Sequence, residues 1–241
     1  MPDLKALVGR TRLGSVRLGL RKCPACGISA FVKLFDDETG VRCLRCRATP
    51  VHLAVIDAVR SLLAKRGIED AYEMSSRGAL LNYLRKKIPR VVTSEYLDGV
   101  EPGSSRDGIR CEDVQRLSFA DEQFELCTST EVFEHVPDDL AGFKEVHRVL
   151  KKGGSFVFTV PLSESPLTVE RASMVDGETR HLLPPAYHGD RLRGEGKVLV
   201  FRDYGLDICD RLRSAGFDQA FILEPTKRYF GFGRKVVVAT R

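Results

Sequence analysis

Four cysteines near the N-terminus occur as two pairs, Cys23-Pro-Ala-Cys26 and Cys43-Leu-Arg-Cys46, with 16 residues between the pairs. Each pair puts two sulfurs on one side of a tight turn, and two such pairs can hold Zn²⁺ in a tetrahedral site. The residues between them read as a β-hairpin. Disulfides are the alternative, but the charged N-terminus has no apolar leader, which argues against an oxidising compartment. The spacing therefore predicts a structural zinc ribbon, with no open metal position for catalysis.

Carboxylates at the ends of two predicted strands form a second group of candidate residues. Glu95 follows a strand pattern over Arg90–Ser94, where its carboxylate can accept hydrogen bonds from both ribose hydroxyls of a nucleoside. Asp113 ends a pattern over Ile109–Val114 and is suited to bind an adenine amino group, with Val114 beside the ring. The alternatives are a surface acid for Glu95 and a turn-capping aspartate for Asp113.

The elements that must position these residues alternate between strand and helix patterns, which favours a parallel sheet with ligands at the carboxyl ends of its strands. A Thr49-Pro50 helix start follows the cysteines, and a helix capped by Asp138 or Asp139 ends in its last turn at Lys151-Lys152. The predicted organisation is a basic tail and ribbon over 1–48, a connecting helix over 49–67 and an α/β domain over 68–241. The predicted strands are Ala71–Met74, Arg90–Ser94, Ile109–Val114, Phe124–Thr128, Ser155–Val160, Phe217–Leu223 and Lys235–Thr240.

Three short patterns carry a family resemblance: FADEQFELCTSTEVFEHV, then RVLKKGG, then FTVP. They resemble the class I S-adenosylmethionine (SAM)-dependent methyltransferases of the small-molecule type 11 kind. The resemblance implies a Rossmann-like, doubly wound, mostly parallel seven-stranded sheet with an antiparallel C-terminal strand. It also implies SAM as cofactor, with Glu95 ending strand two, Asp113 contacting adenine, and Glu134, His135 and Val136 flanking the cofactor.

The first loop departs from the family pattern E-x-G-x-G-x-G, because residues 73–79 read Glu-Met-Ser-Ser-Arg-Gly-Ala. In one interpretation, Ser75, Ser76 and Gly78 replace the glycines and Arg77 pairs with the methionine carboxylate of SAM. In the other, the pocket is altered and SAM binding is weak or lost. The predicted cofactor residues are Glu73, Ser75, Arg77, Gly78, Glu95, Tyr96, Asp113, Val114, Thr130, Glu131 and His135.

A segment rich in His, Arg and Asp over residues 160–205 follows the predicted fifth strand and is expected to cover the substrate. His181 or His188 is a candidate general base for an oxygen or nitrogen acceptor, because histidine titrates near neutral pH. A structured lid with satisfied polar groups is the alternative. The candidate substrate contacts are His181, Tyr187, His188, Asp190 and Arg191.

Composition and charge limit the classes of function. The chain has 43% hydrophobic and 29% charged residues and no apolar run of membrane-spanning length, so we expect a cytoplasmic protein. Residues 1–66 hold 13 Lys/Arg against 5 Asp/Glu, whereas residues 67–241 hold 25 against 28. The main prediction is SAM-dependent methyl transfer to a small molecule or glycan. The alternatives are an RNA methyltransferase that uses the basic ribbon, although aromatic residues are sparse there, and a non-catalytic binding module.

Overall fold

The computed structural model describes residues 16–189 and 197–241. In this part of the chain the helices are α1 (Pro50–Leu63), α2 (Ala79–Leu84), α3 (Asp139–Val149) and α4 (Ile208–Ser214). The strands are β1 (Arg17–Cys23), β2 (Gly27–Lys33), β3 (Val41–Cys43), β4 (Asp70–Glu73), β5 (Arg90–Thr93), β6 (Ser105–Arg106), β7 (Ile109–Arg110), β8 (Phe124–Thr130), β9 (Leu150–Thr159), β10 (Val169–Glu170), β11 (Ala172–Val175), β12 (Glu178–His181), β13 (Tyr187–Gly189), β14 (Lys197–Leu199), β15 (Arg202–Asp203), β16 (Gln219–Leu223) and β17 (Val236–Thr240).

The central sheet has the strand order β16-β17-β9-β8-β4-β5. Strands β5, β4, β8 and β9 are parallel, and β17 and β16 run antiparallel at the other edge. The parallel strands therefore direct their carboxyl ends to one edge, where the polar residues predicted to bind ligand follow them. This mostly parallel α/β sheet with antiparallel C-terminal strands confirms the predicted fold class.

The predicted third strand, Ile109–Val114, is shorter than expected. Strand β7 pairs with β6, and the only described pairing of this segment with the β5 end is a parallel bridge between Glu95 and Cys111. Extension stops there because Asp113 turns the chain, accepting a 2.9 Å hydrogen bond from the backbone N–H of Gln115. The predicted seven strands are thus six strands and a one-residue bridge.

The boundary between α3 and β9 also differs from the prediction. The predicted helix continues through Lys151-Lys152, whereas α3 ends at Val149 and β9 begins at Leu150. Leu150 is fully buried and pairs with Phe124 at the start of β8. Burial in the sheet therefore outweighs the helix-ending pattern of basic residues and glycine.

Helix α1 joins the N-terminal three-stranded sheet β1-β2-β3 to the central sheet. Its apolar stripe, including Val55, Ile56 and Val59, is fully buried against α2 and the sheet. At its start Thr49 and His52 form a capping box, which confirms the predicted helix start. None of the helices in the described ranges has the length and hydropathy of a membrane span.

The segment over residues 160–205 forms three antiparallel strand pairs, β10-β15, β11-β12 and β13-β14. It is tied to the loop after β8: Phe201 N–H donates to the Glu134 carbonyl at 2.7 Å. The buried Arg202 guanidinium donates to the carbonyls of Phe133, Val136 and Pro137. The pair β13-β14 consequently lies beside the carboxyl edge of the central sheet.

Candidate active site

A cleft of about 740 Å³ lies at the carboxyl ends of β4, β5 and β8, a size typical of small-molecule sites. The loops after these strands form one side, and β14 with neighbouring residues of the inserted segment forms the other. The predicted cofactor residues that line it are Ser75, Arg77, Glu95, Tyr96, Asp113, Val114, Thr130, Glu131 and His135.

The loop after β4 is held by serine side chains. Both the backbone N–H and the hydroxyl of Ser76 donate to Glu95 Oε1 at 2.7 Å. The hydroxyl of Ser75 lies 3.4 Å from the same oxygen. These bonds fix the Glu95 carboxylate at the cleft through one oxygen and leave Oε2 to accept from a ligand hydroxyl. Gly78 ends the loop with φ +122°, a conformation that residues with a Cβ rarely adopt.

Glu73 and Gly78 do not line the cleft, which departs from the prediction that both contact the cofactor. Glu73 is 1% exposed and accepts a hydrogen bond from the hydroxyl of Thr128 on the adjacent strand. Burial raises the pKa of Glu73 to about 8, and the nearby Glu95 charge contributes in the same direction. Glu73 lies beneath the loop because strand alternation turns its side chain into the sheet interior.

Asp113 lines the cleft and also caps a turn, so both roles considered for it are compatible with its position. Its Oδ1 accepts from the backbone N–H of Gln115 at 2.9 Å and from the Gln115 side-chain amide at 3.0 Å. The Gln115 Oε1 in turn accepts from the N–H of Asp138 at 3.0 Å. This chain of bonds fixes the start of α3 against the predicted adenine-binding segment.

His52 of α1 lines the cleft and was not predicted from sequence. Its Nδ1 accepts from the Thr49 backbone N–H at 3.4 Å and lies 2.8 Å from the Thr49 hydroxyl. The Nε2–H of this tautomer faces the first loop, since a Cβ built on Gly78 would lie 3.6 Å from Nε2. Desolvation, with a smaller effect of Arg42, lowers the pKa of His52 to about 4, so the ring is neutral at pH 7.

Arg234 connects the ribbon to the cleft. Its guanidinium forms an ion pair with Glu131 at the cleft and another, at 3.2 Å, with Glu38 of the turn between β2 and β3. Burial, followed by the charge of Glu134, raises the pKa of Glu131. Glu131 also has φ +54°, which is uncommon for a non-glycine residue and orients its side chain towards Arg234. Arg234 carried no sequence signal, because its partners are distant in the chain.

A cluster of Glu134, His135 and His188 lies where β13-β14 meets the loop after β8. The Glu134 side chain is 1% exposed, and its Oε1 lies 3.6 Å from both His135 Nε2 and His188 Nδ1. The His135 Nδ1 lies 2.7 Å from the Leu199 carbonyl oxygen. Because His135 lines the cleft, His188, one of the two predicted general bases, lies beside it.

His181 lies elsewhere, exposed at the end of β12 and paired with Ala172, and it does not line the cleft. Thr179 of the same strand lines the cleft, whereas His181 at the strand end does not. Tyr187 is 54% exposed and is also absent from the described cleft lining. Asp190 and Arg191 lie outside the described residues.

The four predicted metal ligands come together in the ribbon. The Cys23 and Cys46 sulfurs are 3.6 Å apart, as are those of Cys26 and Cys43, and all four lie within 4.8 Å of one another. Tetrahedral Zn²⁺ with Zn–S bonds of about 2.3 Å separates its sulfurs by roughly 3.8 Å. A disulfide requires about 2.05 Å. The sulfur positions fit a tetrahedral ion and do not fit disulfides.

Comparison with known proteins finds a matching domain model and solved structures of the same fold. Residues 57–158 match the family model described as methyltransferase domain. A SAM-dependent methyltransferase from Mesorhizobium loti shares the fold with a TM-score of 0.50 and 17% identity, over 78% of this chain and 98% of that one. CalS10, an amino pentose methyltransferase from Micromonospora echinaspora solved with SAM bound, gives 0.54 and 16% over 82% and 94%. No curated protein sequence matches the chain.

Proposed function

We propose that the chain, whose residues 57–158 match a methyltransferase domain and whose fold is shared with SAM-dependent methyltransferases, transfers a methyl group from SAM to a hydroxyl or amino group of a small molecule or glycan. The observation that carries this proposal is the cleft, which has the predicted nucleoside-binding acids Glu95 and Asp113 on one side and the inserted segment on the other. When bound, SAM supplies an activated methyl group on a positively charged sulfur. The contribution of the protein is then mainly to orient acceptor and cofactor and to exclude water.

The loops at the strand ends are suited to bind the cofactor. Glu95 Oε2 is available to accept from ribose hydroxyls, because its other oxygen is held by Ser76. Asp113 and Val114 are adjacent to the same cleft and are suited to the adenine ring. We propose that Arg77 and the Nε2–H of His52 face the carboxylate end of SAM, since both side chains line the cleft near the first loop.

The acceptor is proposed to bind under the inserted segment. Leu199 and Phe201 give that side of the cleft apolar surface that limits water, and His188 lies beside it. The cleft holds a compound of limited size, which favours a small molecule or single sugar. That CalS10 of the same fold methylates an amino pentose is consistent with this proposal.

An RNA acceptor has less support. Phe31, one of the few aromatic residues near the cysteines, is fully buried and stacks on Tyr229 with ring centroids 4.6 Å apart. The outer face of the ribbon presents Leu18, Leu20 and Ile28, which are 69%, 70% and 77% exposed. We propose that the cysteine site holds Zn²⁺ and that its role is structural.

Calorimetry with SAM tests the proposal. We expect saturable binding to the full chain, and Glu95→Gln should weaken it about tenfold through loss of a charged ribose acceptor. Glu101→Gln is the matched control, because this acid has an 85% exposed side chain in a neighbouring loop. Absence of heat from folded protein at millimolar SAM would instead support a non-catalytic binding module.

Release of S-adenosylhomocysteine in the presence of candidate acceptors tests the substrate class. Sugars, small amines and phenols form one panel, and unmodified RNA forms the other. Turnover with RNA alone, weakened steeply by salt, would reject the small-molecule proposal in favour of an RNA methyltransferase.

A further inference from the structure

Glu134 is a buried carboxylate whose surroundings require a positive charge. Its side chain is 1% exposed, and neither oxygen accepts a hydrogen bond within the described residues. An ionised carboxylate without partners is costly to bury. Arg234, the nearby arginine, is paired with Glu131 and Glu38. One oxygen of Glu131, Oε1, is likewise buried without a donor in the part of the chain that the structure describes.

The orientation of His135 indicates what kind of partner Glu134 has. A carbonyl oxygen only accepts hydrogen bonds, so the 2.7 Å contact with Leu199 puts the proton of His135 on Nδ1. The Nε2 of the neutral ring then directs a lone pair towards Glu134 Oε1, 3.6 Å away. A lone pair and a carboxylate repel each other unless the ring is protonated or a metal ion lies between them. A backbone carbonyl that accepts from Nδ1 is also the usual support behind a metal-binding histidine.

The spacing of the three side chains leaves room for an ion. His188 Nδ1 lies 3.6 Å from the same Glu134 oxygen, and the ligand atoms of all three residues fall within 4.8 Å of one another. These separations exceed a hydrogen bond, which spans about 2.7–3.2 Å. Metal bonds of about 2.0–2.2 Å place neighbouring ligand atoms roughly 2.8–3.6 Å apart. Two imidazoles with one carboxylate suit a divalent transition metal and leave coordination positions open.

We propose that Glu134, His135 and His188 bind a divalent transition-metal ion at the acceptor end of the cleft. This site is separate from the four cysteines and differs from them in ligand type. His135 lines the cleft, so open positions of the ion would face it. An acceptor oxygen or nitrogen would occupy such a position, and this last role alone rests on the proposed function.

Titration with Mn²⁺, followed by electron paramagnetic resonance, tests the site in the full chain. Manganese is the probe because it prefers oxygen and nitrogen ligands over thiolates, so a single equivalent of Zn²⁺ per chain, supplied beforehand, fills the cysteine site and leaves the second site to Mn²⁺. We expect one Mn²⁺ per chain. Glu134→Gln and His188→Ala should each weaken its binding by at least about tenfold.

His181→Ala is the matched control, since it removes an exposed histidine of the same inserted segment and should leave Mn²⁺ binding unchanged. The His188 side chain is 44% exposed, so His188→Ala keeps the test valid if Glu134→Gln does not fold. The proposal is overturned if the unaltered chain binds no Mn²⁺, or if His188→Ala binds it as the unaltered chain does. Calorimetry with SAM on the same samples separates the two proposals, because loss of Mn²⁺ binding with SAM binding intact rejects only the metal site.

Discussion

Individual side chains at the carboxyl edge of the sheet support the first loop both from beside it and from beneath it. Ser76 and Glu95 hold the first loop by side-chain hydrogen bonds, where the methyltransferases that the chain resembles usually have glycines. Glu73, at the end of the strand before this loop, is buried and bonded to Thr128. Side-chain hydrogen bonds thus support the loop from beneath as well as from beside it, which explains how the loop keeps its shape with a single glycine.

Glu73 should make stability fall as pH rises. Its pKa is about 8 in the folded protein and near 4.5 when unfolded, so between these values the folded state binds more protons. The contribution to the free energy of unfolding is complete below about pH 4.5 and is lost as pH rises through 8. Urea unfolding at pH 5, 6, 7 and 8 should therefore show a smaller decline for Glu73→Gln than for the unaltered chain. An identical decline in both proteins would contradict the assignment, and Glu101→Gln serves as the exposed control.

Helices and strands end where side chains or burial stop them. Helix α3 begins at Asp139 and is capped by Asp138, whose Oδ1 accepts from Ala141 N–H at 3.0 Å. It ends at Val149, because Leu150 enters the sheet. Since Asp138 N–H also donates to Gln115, the cap connects the helix to the segment proposed to bind adenine.

Removal of this cap should be measurable. Asp138→Ala leaves the Ala141 N–H without its acceptor, and should lower the free energy of unfolding by about 1 kcal/mol. Asp138→Ser, which can still cap, should lose only a fraction of that amount. Urea unfolding of the three proteins provides the measurement, and equal stability of the alanine and serine variants would show that the cap contributes little.

At the scale of the whole molecule, the ribbon is packed against the α/β domain. Its cysteines share an apolar cluster with Leu53 of α1, Ala79 of α2 and Tyr229. The same unit carries Glu38, which pairs with Arg234 and so reaches the cleft. The ribbon therefore supports both the first loop and the Glu131 side of the cleft.

Loss of the metal proposed for the four cysteines should affect the cleft as well as the ribbon. Cys43→Ser is expected to lower the melting temperature by more than about 4 °C, and also to weaken SAM binding because Ala79 follows the first loop. Cys209→Ser is the control, since this cysteine lies on α4 outside the cluster. Unchanged SAM affinity in a Cys43→Ser protein that has lost its zinc would show that ribbon and cleft are independent.

Local spacing was enough to predict the parts of this protein that depend on neighbouring residues. The cysteine pairs, the Thr49-Pro50 helix start, the Asp138 cap and the alternation of strands and helices all follow from short-range chemistry. The family resemblance added roles for the acids at the strand ends. Nine of the eleven predicted cofactor residues line one cleft.

Only the tertiary structure decided which distant side chains meet. His52 reaches the cleft because α1 packs on the sheet, and Arg234 joins Glu38 to Glu131 across much of the chain. The inserted segment brings His188 to Glu134 and leaves His181 in solvent. Sequence periodicity cannot predict such contacts, because they depend on how packed elements are oriented, and a one-residue change in strand pairing would turn each side chain to the opposite face.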